Sequence, residues 1–204
     1  FYFASSSAIY GNHMDFNIKE NTGPLMPLSN YGAMKLASEA QCFAAKESFL
    51  KKLLIFRFPN VVGSPATHGV IFDFINKLKN NPLQLEVLGN GTQEKSYLHV
   101  DDLVEGMIFL KEKKLPEKNN PIFNLGPHKD TVTVKWIAEE VVRQFSPKAT
   151  IIYGEENRGW IGDVPKFLYD TEKAQKAGWI PSLNSEQSVT KAIKQIIHQI
   201  EQLK

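Results

Sequence analysis

Residues 30–58 read NYGAMKLASEAQCFAAKESFLKKLLIFRF, and this stretch decides the fold. Its first part carries apolar side chains at helical spacing and predicts a helix over residues 30–49. Its last part, Leu53–Phe58, opens with four apolar residues and is typical of a buried strand. Phe1–Ser5 has the same character and predicts a preceding strand. Two strands joined through a helix form a βαβ unit, so we expect them to lie parallel in one sheet.

The rest of the chain continues this alternation of apolar runs and amphipathic segments, which favours an α/β fold. Asp101 or Asp102 is expected to cap one helix. The small elements after residue 63 are expected to form part of a second lobe. The predicted helices cover residues 70–78, 102–113, 134–145, 171–177 and 186–203, and the predicted strands cover residues 83–88, 121–125 and 149–153.

Composition argues against several classes of function. The 204 residues include 24 basic and 22 acidic side chains, and the net charge of +2 implies no strong field for nucleic acid or an anionic membrane. The single cysteine, Cys42, excludes a disulfide framework and indicates the reducing cytoplasm. His99 is interpreted as a structural residue beside Tyr97. No metal site is expected, because no metal-ligand spacing relates His13, His68, His99, His128 and His198.

The sharpest local motif is Tyr31-Gly32-Ala33-Met34-Lys35. A tyrosine and a lysine four residues apart on a helix share one face, with Cβ atoms about 6 Å apart. The lysine ammonium favours the phenolate, so the tyrosine can exchange a proton near neutral pH. Alone, the spacing is weak, because a solvated lysine beside a packed tyrosine arises often by chance.

Ser5-Ser6-Ser7-Ala8-Ile9-Tyr10-Gly11 follows the predicted first strand. Ligand sites of open parallel sheets lie at the carboxyl ends of the strands. A hydroxyl group here is therefore placed to bond the substrate oxygen that Tyr31 deprotonates. An ordinary polar turn explains three serines equally well.

The order and spacing of eight segments together resemble the extended short-chain dehydrogenase/reductase family, in its NAD-dependent nucleotide-sugar epimerase/dehydratase branch. The resemblance covers essentially the whole chain. The segments that carry it are Phe3–Gly11, Pro27–Lys35, Arg57–Gly63, Gly89–Gln93, Tyr97–Asp102, Phe123–Gly126, Gly162–Val164 and Gly178–Trp179.

The resemblance implies an α/β fold made of the C-terminal half of a Rossmann-type parallel sheet and a smaller α/β substrate-binding lobe. Residues 1–63 would form part of an NAD-binding Rossmann domain. Residues 64–204 would form mainly the substrate-binding lobe, with residues 96–126 returning to the sheet. Because the chain opens inside a strand at Phe1, without an initiator Met, we expect the first strands of the sheet to be missing.

The resemblance also implies the chemistry. Tyr31 would be the general acid/base, and Lys35 would hold the cofactor ribose and tune Tyr31. Ser6 would assist, because the family's Ser or Thr lies four residues before its Tyr-Gly pair. Phe58 and Pro59 would lie against the nicotinamide of NAD.

The same resemblance implies a nucleotide-sugar site. Asn60 would contact the diphosphate, and a wall around the nucleotide base would come from Gly69, Val70, Phe72 and Leu88. Lys95 stands where this branch usually has a diphosphate-binding arginine, and it supplies a charge without the bidentate fork. The complete substrate-binding set would be Ser6, Asn60, Gly69, Val70, Phe72, Leu88, Lys95, Tyr97, Arg158 and Asp163.

Two further departures concern the phosphates. The late arginine of this branch is displaced to Arg158, where it either reaches the diphosphate or is an exposed loop residue. The family's Gly-rich phosphate turn is absent, so the chain carries half a dinucleotide site. The 204-residue chain alone is therefore expected to bind NAD poorly and to be inactive.

The family mechanism moves a hydride from a sugar carbon to NAD while Tyr31 takes the hydroxyl proton, and the hydride then returns to the keto sugar. The 4,6-dehydratases need an Asp-Glu pair directly after the Ser/Thr, where this chain has Ser7 and Ala8. The resemblance therefore favours a UDP-hexose 4-epimerase. Open alternatives are another epimerase, a reductase or dehydratase of this family, and a catalytically incomplete sugar-nucleotide-binding fragment of a longer enzyme.

A homodimer is also implied, because the Tyr31 helix and its predecessor build a four-helix interface in this family. The outer face of the Tyr31 helix should then be unusually apolar. The residues expected on that face are Leu36, Ala40, Cys42 and Phe43.

Overall fold

The computed structural model describes residues 1–12, 17–114, 121–156, 166 and 168–202. The strands are β1 (Tyr2–Ala4), β2 (Asn17–Ile18), β3 (Leu54–Arg57), β4 (Asn60–Val62), β5 (Gln84–Val87), β6 (Glu94–Lys95), β7 (Tyr97–His99), β8 (Ile122–Asn124), β9 (Val132–Thr133), β10 (Thr150–Tyr153) and β11 (Leu168–Tyr169). The helices are α1 (Asn30–Ser48), α2 (Val70–Asn80), α3 (Val100–Glu112), α4 (Val134–Phe145), α5 (Glu172–Lys176) and α6 (Ser185–Gln202), and a 3-10 turn covers Ser7–Ile9.

A parallel sheet with strand order β1–β3–β8 positions the first half of the chain. Phe3 lies opposite Ile55 in β3, and Ile55 lies opposite Ile122 in β8. Cys42 of α1 packs on this face of the sheet. The opposite face, with Phe56, is covered by α3 and Trp179. The predicted βαβ unit and α/β class are confirmed.

Helices α2, α4 and α6 pack around the parallel pair β5–β10 and form the largest hydrophobic core. Their apolar residues recur at helical spacing, as in Val189, Ile193, Ile196 and Ile200 of α6, so each helix buries one face. We call it the second core, and Ala66, in the segment that follows β4, packs against it. In the described part of the chain, no helix has both the length and the apolar character that crossing a membrane requires.

β3 ends before Pro59, as predicted, whereas β4 was not predicted. Asn60–Val62 pairs with β7 rather than with the central sheet. A proline has no N–H to donate, which favours such a change of partner. β1 is the edge strand of the described sheet, and Tyr2 is 40% exposed.

The predicted cap of α3 is wrong. His99 is the N-cap, and its Nδ1 accepts a hydrogen bond from the Asp101 backbone N–H at 3.2 Å. His99 is fully buried, and its Nε2 lies 3.0 Å from Gln195 Oε1. Asp102 is buried and accepts hydrogen bonds from Ser182 instead.

The prediction for the outer face of α1 is wrong in three of its four residues. Cys42 and Phe43 pack inward against β3, and Leu36 packs toward Ile9 and Tyr10. The α-helical period turns Cys42 and Phe43 to the sheet and Leu36 to the 3-10 turn. The apolar residues that α1 does expose are Ala33, Met34, Ala37, Ala40 and Ala44.

A buried polar network joins α1 to the sheet. The Arg57 guanidinium donates to both Glu39 oxygens, at 2.6 and 2.9 Å, and Ser5 Oγ donates to Glu39 Oε1 at 2.5 Å. Arg57 also donates to Tyr10 Oη at 2.9 Å, and Tyr10 Oη donates to Asn124 Oδ1 at 2.8 Å. All five residues are buried. The network therefore ties β1, the segment after it, α1, β3 and β8 together.

The buried network keeps Tyr10 and Arg57 protonated at neutral pH. Burial raises the pKa of Tyr10 to about 12, although Arg57 acts in the opposite direction. Burial alone would lower the pKa of Arg57, but its hydrogen bonds to Glu39 and Tyr10 raise that pKa overall. Tyr10 thus stays a phenol and Arg57 stays charged at neutral pH.

Glu39→Gln is expected to lower the free energy of unfolding by about 3–5 kcal/mol, because it leaves the buried Arg57 charge uncompensated. Urea unfolding followed by circular dichroism measures this difference. Glu47→Gln, at an exposed position of the same helix, is the control and should change stability by less than about 0.5 kcal/mol. Equal effects of the two substitutions would contradict the role given to Glu39.

Candidate active site

The site begins where β1 and β3 end. The Ser5 N–H donates to Phe56 O at 2.8 Å, and the Ser7 N–H donates to Phe58 O at 3.0 Å. Because the strands are parallel, the serine segment and the Phe58–Pro59 segment leave the sheet side by side. This is the edge at which open parallel sheets bind ligands.

The three serines have different environments. Ser5 Oγ donates its hydrogen bond to Glu39, and Ser7 lies in the 3-10 turn. Ser6 has extended backbone angles and caps that turn, with its Oγ accepting from the Ala8 N–H at 3.2 Å. Ser6 is the one of the three that borders the large cavity described below.

Gly32 lets the first turn of α1 approach the 3-10 turn. A Cβ atom at Gly32 would lie 2.6 Å from Ala8 O and 2.9 Å from Pro27 Cβ. Ser29 caps the helix by accepting from the Gly32 N–H at 3.1 Å. The cap and the missing side chain together bring Tyr31 to the same cavity as Ser6.

Lys35 lies one turn after Tyr31, as the spacing predicts. Its Nζ is 5.7 Å from the centre of the Tyr31 ring and 5.2 Å from that of Phe3. Nζ also donates to Ala4 O at 2.7 Å, at the carboxyl end of β1. The ammonium is thus held beside the ring of Tyr31, on the side of β1.

A cavity of about 910 Å³ opens between the sheet edge and the α2 side of the second core. Ser6 and Tyr31 border it, and so do the first residues of α2 and Leu88, which follows β5. It brings together eleven residues singled out from the sequence, which are Ser6, Tyr31, Phe58, Pro59, Asn60, Gly69, Val70, Phe72, Leu88, Lys95 and Tyr97. Lys35 does not line it, and Arg158 and Asp163 lie outside the described residues.

Sequence reasoning missed part of the cavity wall. The segment Gly63–His68 lines it throughout, as do Gln93, Val134 and Ile196. The segment lies between Asn60 and Gly69, which were both expected to bind substrate. Its position in the chain therefore indicated that it lines the same cavity. Ile196 belongs to the apolar stripe of α6, and nothing in that stripe distinguishes a cavity residue from a core residue.

The charged groups of the wall suit an anionic ligand. Lys95 places a cation on it, and the carboxylate of Asp73 is paired with Lys77 at 3.0 Å. The neighbouring Glu94 does not line the cavity, and its hydrogen bond from Lys166 lowers the pKa of its carboxyl group. In the described ranges, no group of three or more His, Cys, Asp or Glu side chains is arranged to hold a metal ion.

Residues 1–126 match the NAD dependent epimerase/dehydratase family, and this match covers more than half of the chain. The chain therefore belongs to the NAD dependent epimerase/dehydratase family. It is also similar to an uncharacterized UDP-glucose epimerase of Bacillus subtilis, at 30% identity over 189 residues, which cover 87% of this chain and 57% of that protein.

Solved structures confirm the Rossmann-type fold. A crystal structure of a UDP-galactose 4-epimerase matches with a TM-score of 0.82 at 33% identity, covering 98% of this chain and 63% of that chain. MoeE5 in complex with UDP-glucuronic acid and NAD matches with a TM-score of 0.80 at 25% identity, covering 97% and 64%. The chain thus spans less than two thirds of the length of each of these relatives.

Gly32→Ala is expected to destabilise the protein by about 1–2 kcal/mol. Overpacking against the backbone of Ala8 costs about 1–3 kcal/mol, and alanine's higher helix propensity returns up to about 1 kcal/mol. Urea unfolding measures the change. Gly23→Ala, where a Cβ would meet nothing within 4 Å, is the control and should stay near wild type. A stabilised Gly32→Ala protein would show that the helix and the turn are not in forced contact.

Proposed function

We propose that the protein is an NAD-dependent nucleotide-sugar epimerase and that its reaction is the 4-epimerisation of a UDP-hexose. The observation that carries this proposal is the single cavity that Ser6 and Tyr31 share with the residues expected to bind the nucleotide. The family and the UDP-sugar relatives support it. In this proposal residues 1–63, with 96–126, form the cofactor side, and the rest of residues 64–204 forms the substrate side.

The residues on the cofactor side fit NAD. An ammonium carries three N–H groups, so Lys35 can bond ribose hydroxyls while it donates to Ala4 O. Phe58 and Pro59 offer an apolar surface at the end of β3 for the nicotinamide ring. NAD, when bound, supplies the acceptor and donor for a hydride.

The protein's own task is to move one proton. Tyr31 Oη would take the proton of the sugar hydroxyl group and later return it. The ammonium of Lys35, held beside the Tyr31 ring, stabilises the phenolate that forms. Ser6 Oγ accepts from the Ala8 N–H, so its own O–H can donate to the same sugar oxygen.

The nucleotide end of the substrate would lie along α2 and β6. Lys95 would face the diphosphate, together with Asn60, whose Nδ2 lies 3.5 Å from Ser96 O. Gly69, Val70, Phe72 and Leu88 would wall the base. Tyr97 closes the cavity beside Lys95.

An observation at the 3-10 turn favours epimerisation over dehydration. The two residues after Ser6 are Ser7 and Ala8, and neither carries a carboxyl group. Loss of water from a sugar needs an added acid and base near the leaving hydroxyl group. Returning the hydride to the opposite face of the sugar needs no such pair.

Tyr31→Phe, in the protein expressed from its complete open reading frame, should lower kcat for interconversion of UDP-glucose and UDP-galactose by about 10²–10⁴-fold. Phenylalanine keeps the ring but has no hydroxyl group, so the Kd for UDP should stay within about twofold of wild type. Coupled spectrophotometric assay and calorimetry measure the two quantities.

Tyr2→Phe is the matched control, since Tyr2 lies on the edge strand and does not border the cavity. Its kcat should equal that of the wild type. A loss of less than about tenfold in Tyr31→Phe would overturn the role of Tyr31. No turnover by the wild type with any UDP-hexose would overturn the proposed reaction.

We also propose that the complete enzyme is a cytoplasmic homodimer and that α1 forms the interface. The exposed stripe of Ala33, Ala37, Ala40 and Ala44, beside the exposed Met34, supports this because small apolar residues let helices approach closely. Phe43 is partly buried against β3, so it would contribute less interface area than a fully exposed residue.

Ala37→Arg should convert the dimer into a monomer, because it places a large charge in the centre of the stripe. Light scattering coupled to size-exclusion chromatography measures the mass. Glu186→Arg, at an exposed position of α6, is the control and should leave the mass unchanged. A wild type that is monomeric at micromolar concentration would contradict the proposal.

A further inference from the structure

The segment Gly63–Gly69, between β4 and α2, forms a continuous part of the cavity wall. It has no helix or strand of its own. A segment without regular structure loses much conformational entropy when it takes one shape, so it needs contacts that hold its backbone.

One side chain of α6 makes such contacts. Gln199 Oε1 accepts from the Ala66 N–H at 2.8 Å and from Ser64 Oγ at 3.0 Å. Gln199 Nε2 donates to Ala66 O at 2.8 Å. The amide of Gln199 therefore pairs with both backbone groups of Ala66, as a neighbouring strand would.

The helix that carries Gln199 is itself rigidly placed. Ile196, one turn earlier, is buried in the second core and also borders the cavity. Ile200 is buried in the same core. The packing of α6 therefore fixes the position of the Gln199 amide, and the amide in turn restricts the backbone of the segment Gly63–Gly69.

We propose that Gln199 is a positioning residue for the nucleotide end of the substrate cavity. It holds Ala66, and through the next three residues it sets the place of Gly69 and the first turn of α2. The inference rests on the proposed function, in which Gly69 and Val70 wall the nucleotide base. Tyr31 and Ser6 lie on other elements, so Gln199 governs nucleotide affinity and leaves the proton transfer unchanged.

The test compares Gln199→Ala with Gln202→Ala, in the protein expressed from its complete open reading frame. Gln202 is a glutamine of the same helix whose side chain bonds His198 and not the cavity wall. The Kd for UDP is measured by calorimetry, kcat is measured at saturating UDP-hexose, and amide hydrogen exchange is followed over residues 63–69.

Gln199→Ala should raise the Kd for UDP about tenfold or more, because it removes all three hydrogen bonds that hold Ser64 and Ala66. Its kcat should stay within about twofold, and exchange over residues 63–69 should quicken about tenfold while exchange in α6 stays unchanged. Gln202→Ala should match the wild type throughout. Gln199→Glu keeps the two accepted bonds and loses the donated one, so its Kd should lie between those of wild type and Gln199→Ala.

Unchanged exchange over residues 63–69 in Gln199→Ala would overturn the inference, whatever the protein's activity. So would an unchanged Kd for UDP in a protein whose wild type binds UDP. Equal losses in Kd, kcat and thermal stability would also overturn it, because they indicate a general structural role. A wild type that does not bind UDP would instead overturn the proposed function, and the exchange measurement would still decide whether Gln199 holds the wall.

Discussion

The ion pair between Glu39 and Arg57 is the contact on which the arrangement of the site depends. Two charges in the interior are tolerated only when geometry and additional hydrogen bonds are favourable, so few relative positions of α1 and β3 are allowed. Ser5 adds its hydroxyl group to the same carboxylate. Glu39 and Tyr31 lie on the same helix, about two turns apart. The ion pair that holds Glu39 therefore also sets the position of Tyr31 along the helix axis. The residue after Ser5 and the residue after Arg57 then both border the cavity.

The cavity has two supports of different character. The sheet edge, with Ser6, Tyr31 and Phe58, is held by buried polar contacts that permit little variation in geometry. The opposite wall, which includes the first turn of α2, is held by the apolar core of α2, α4 and α6. Proton transfer requires atoms placed within fractions of an ångström, and recognition of a flat base tolerates more adjustment. Under the proposed function, the polar contacts support the proton-transfer residues and the apolar core supports the wall that would contact the base.

The elements that could be predicted from the sequence are those with a strong local pattern. α1 and the α6 stripe carry long helical periods, and Leu53–Phe56 is a continuous apolar run, so the bounds of α1, α6 and β3 agree with the structure to within a few residues. The cap of α3 was misassigned because an imidazole nitrogen can accept the same hydrogen bond as a carboxylate. β2, β6, β9 and β11 have two residues each, which is too short for any period to appear.

Site residues that belong to a local sequence motif could be predicted, whereas those that depend on a contact distant in sequence could not. The Tyr31–Lys35 spacing and the serine segment are local features, and the structure brings Tyr31 and Ser6 to one cavity. Gln199 is 133 residues from Ala66, and the glutamine gives no local sign of its partner. The inward orientation of Cys42 and Phe43 likewise depends on where the sheet lies, which the helix pattern alone does not state.

The polar network that ends at Asn124 has a consequence for the order in which the chain acquires its structure. Asn124 Oδ1 accepts a hydrogen bond from the Tyr10 hydroxyl group, 114 residues away in sequence. Asn124 Nδ2 donates to Ile18 O, which is 106 residues away. Contacts so distant in sequence require the closure of large loops before they contribute anything, which slows folding. During synthesis, Tyr10 and Arg57 emerge long before the strand that completes their surroundings. The second core joins residues on both sides of Asn124, from Ile71 to Ile200, so it also depends on contacts that are distant in sequence. Because Ile196 of α6 borders the cavity, the cavity wall is complete only after α6 has packed.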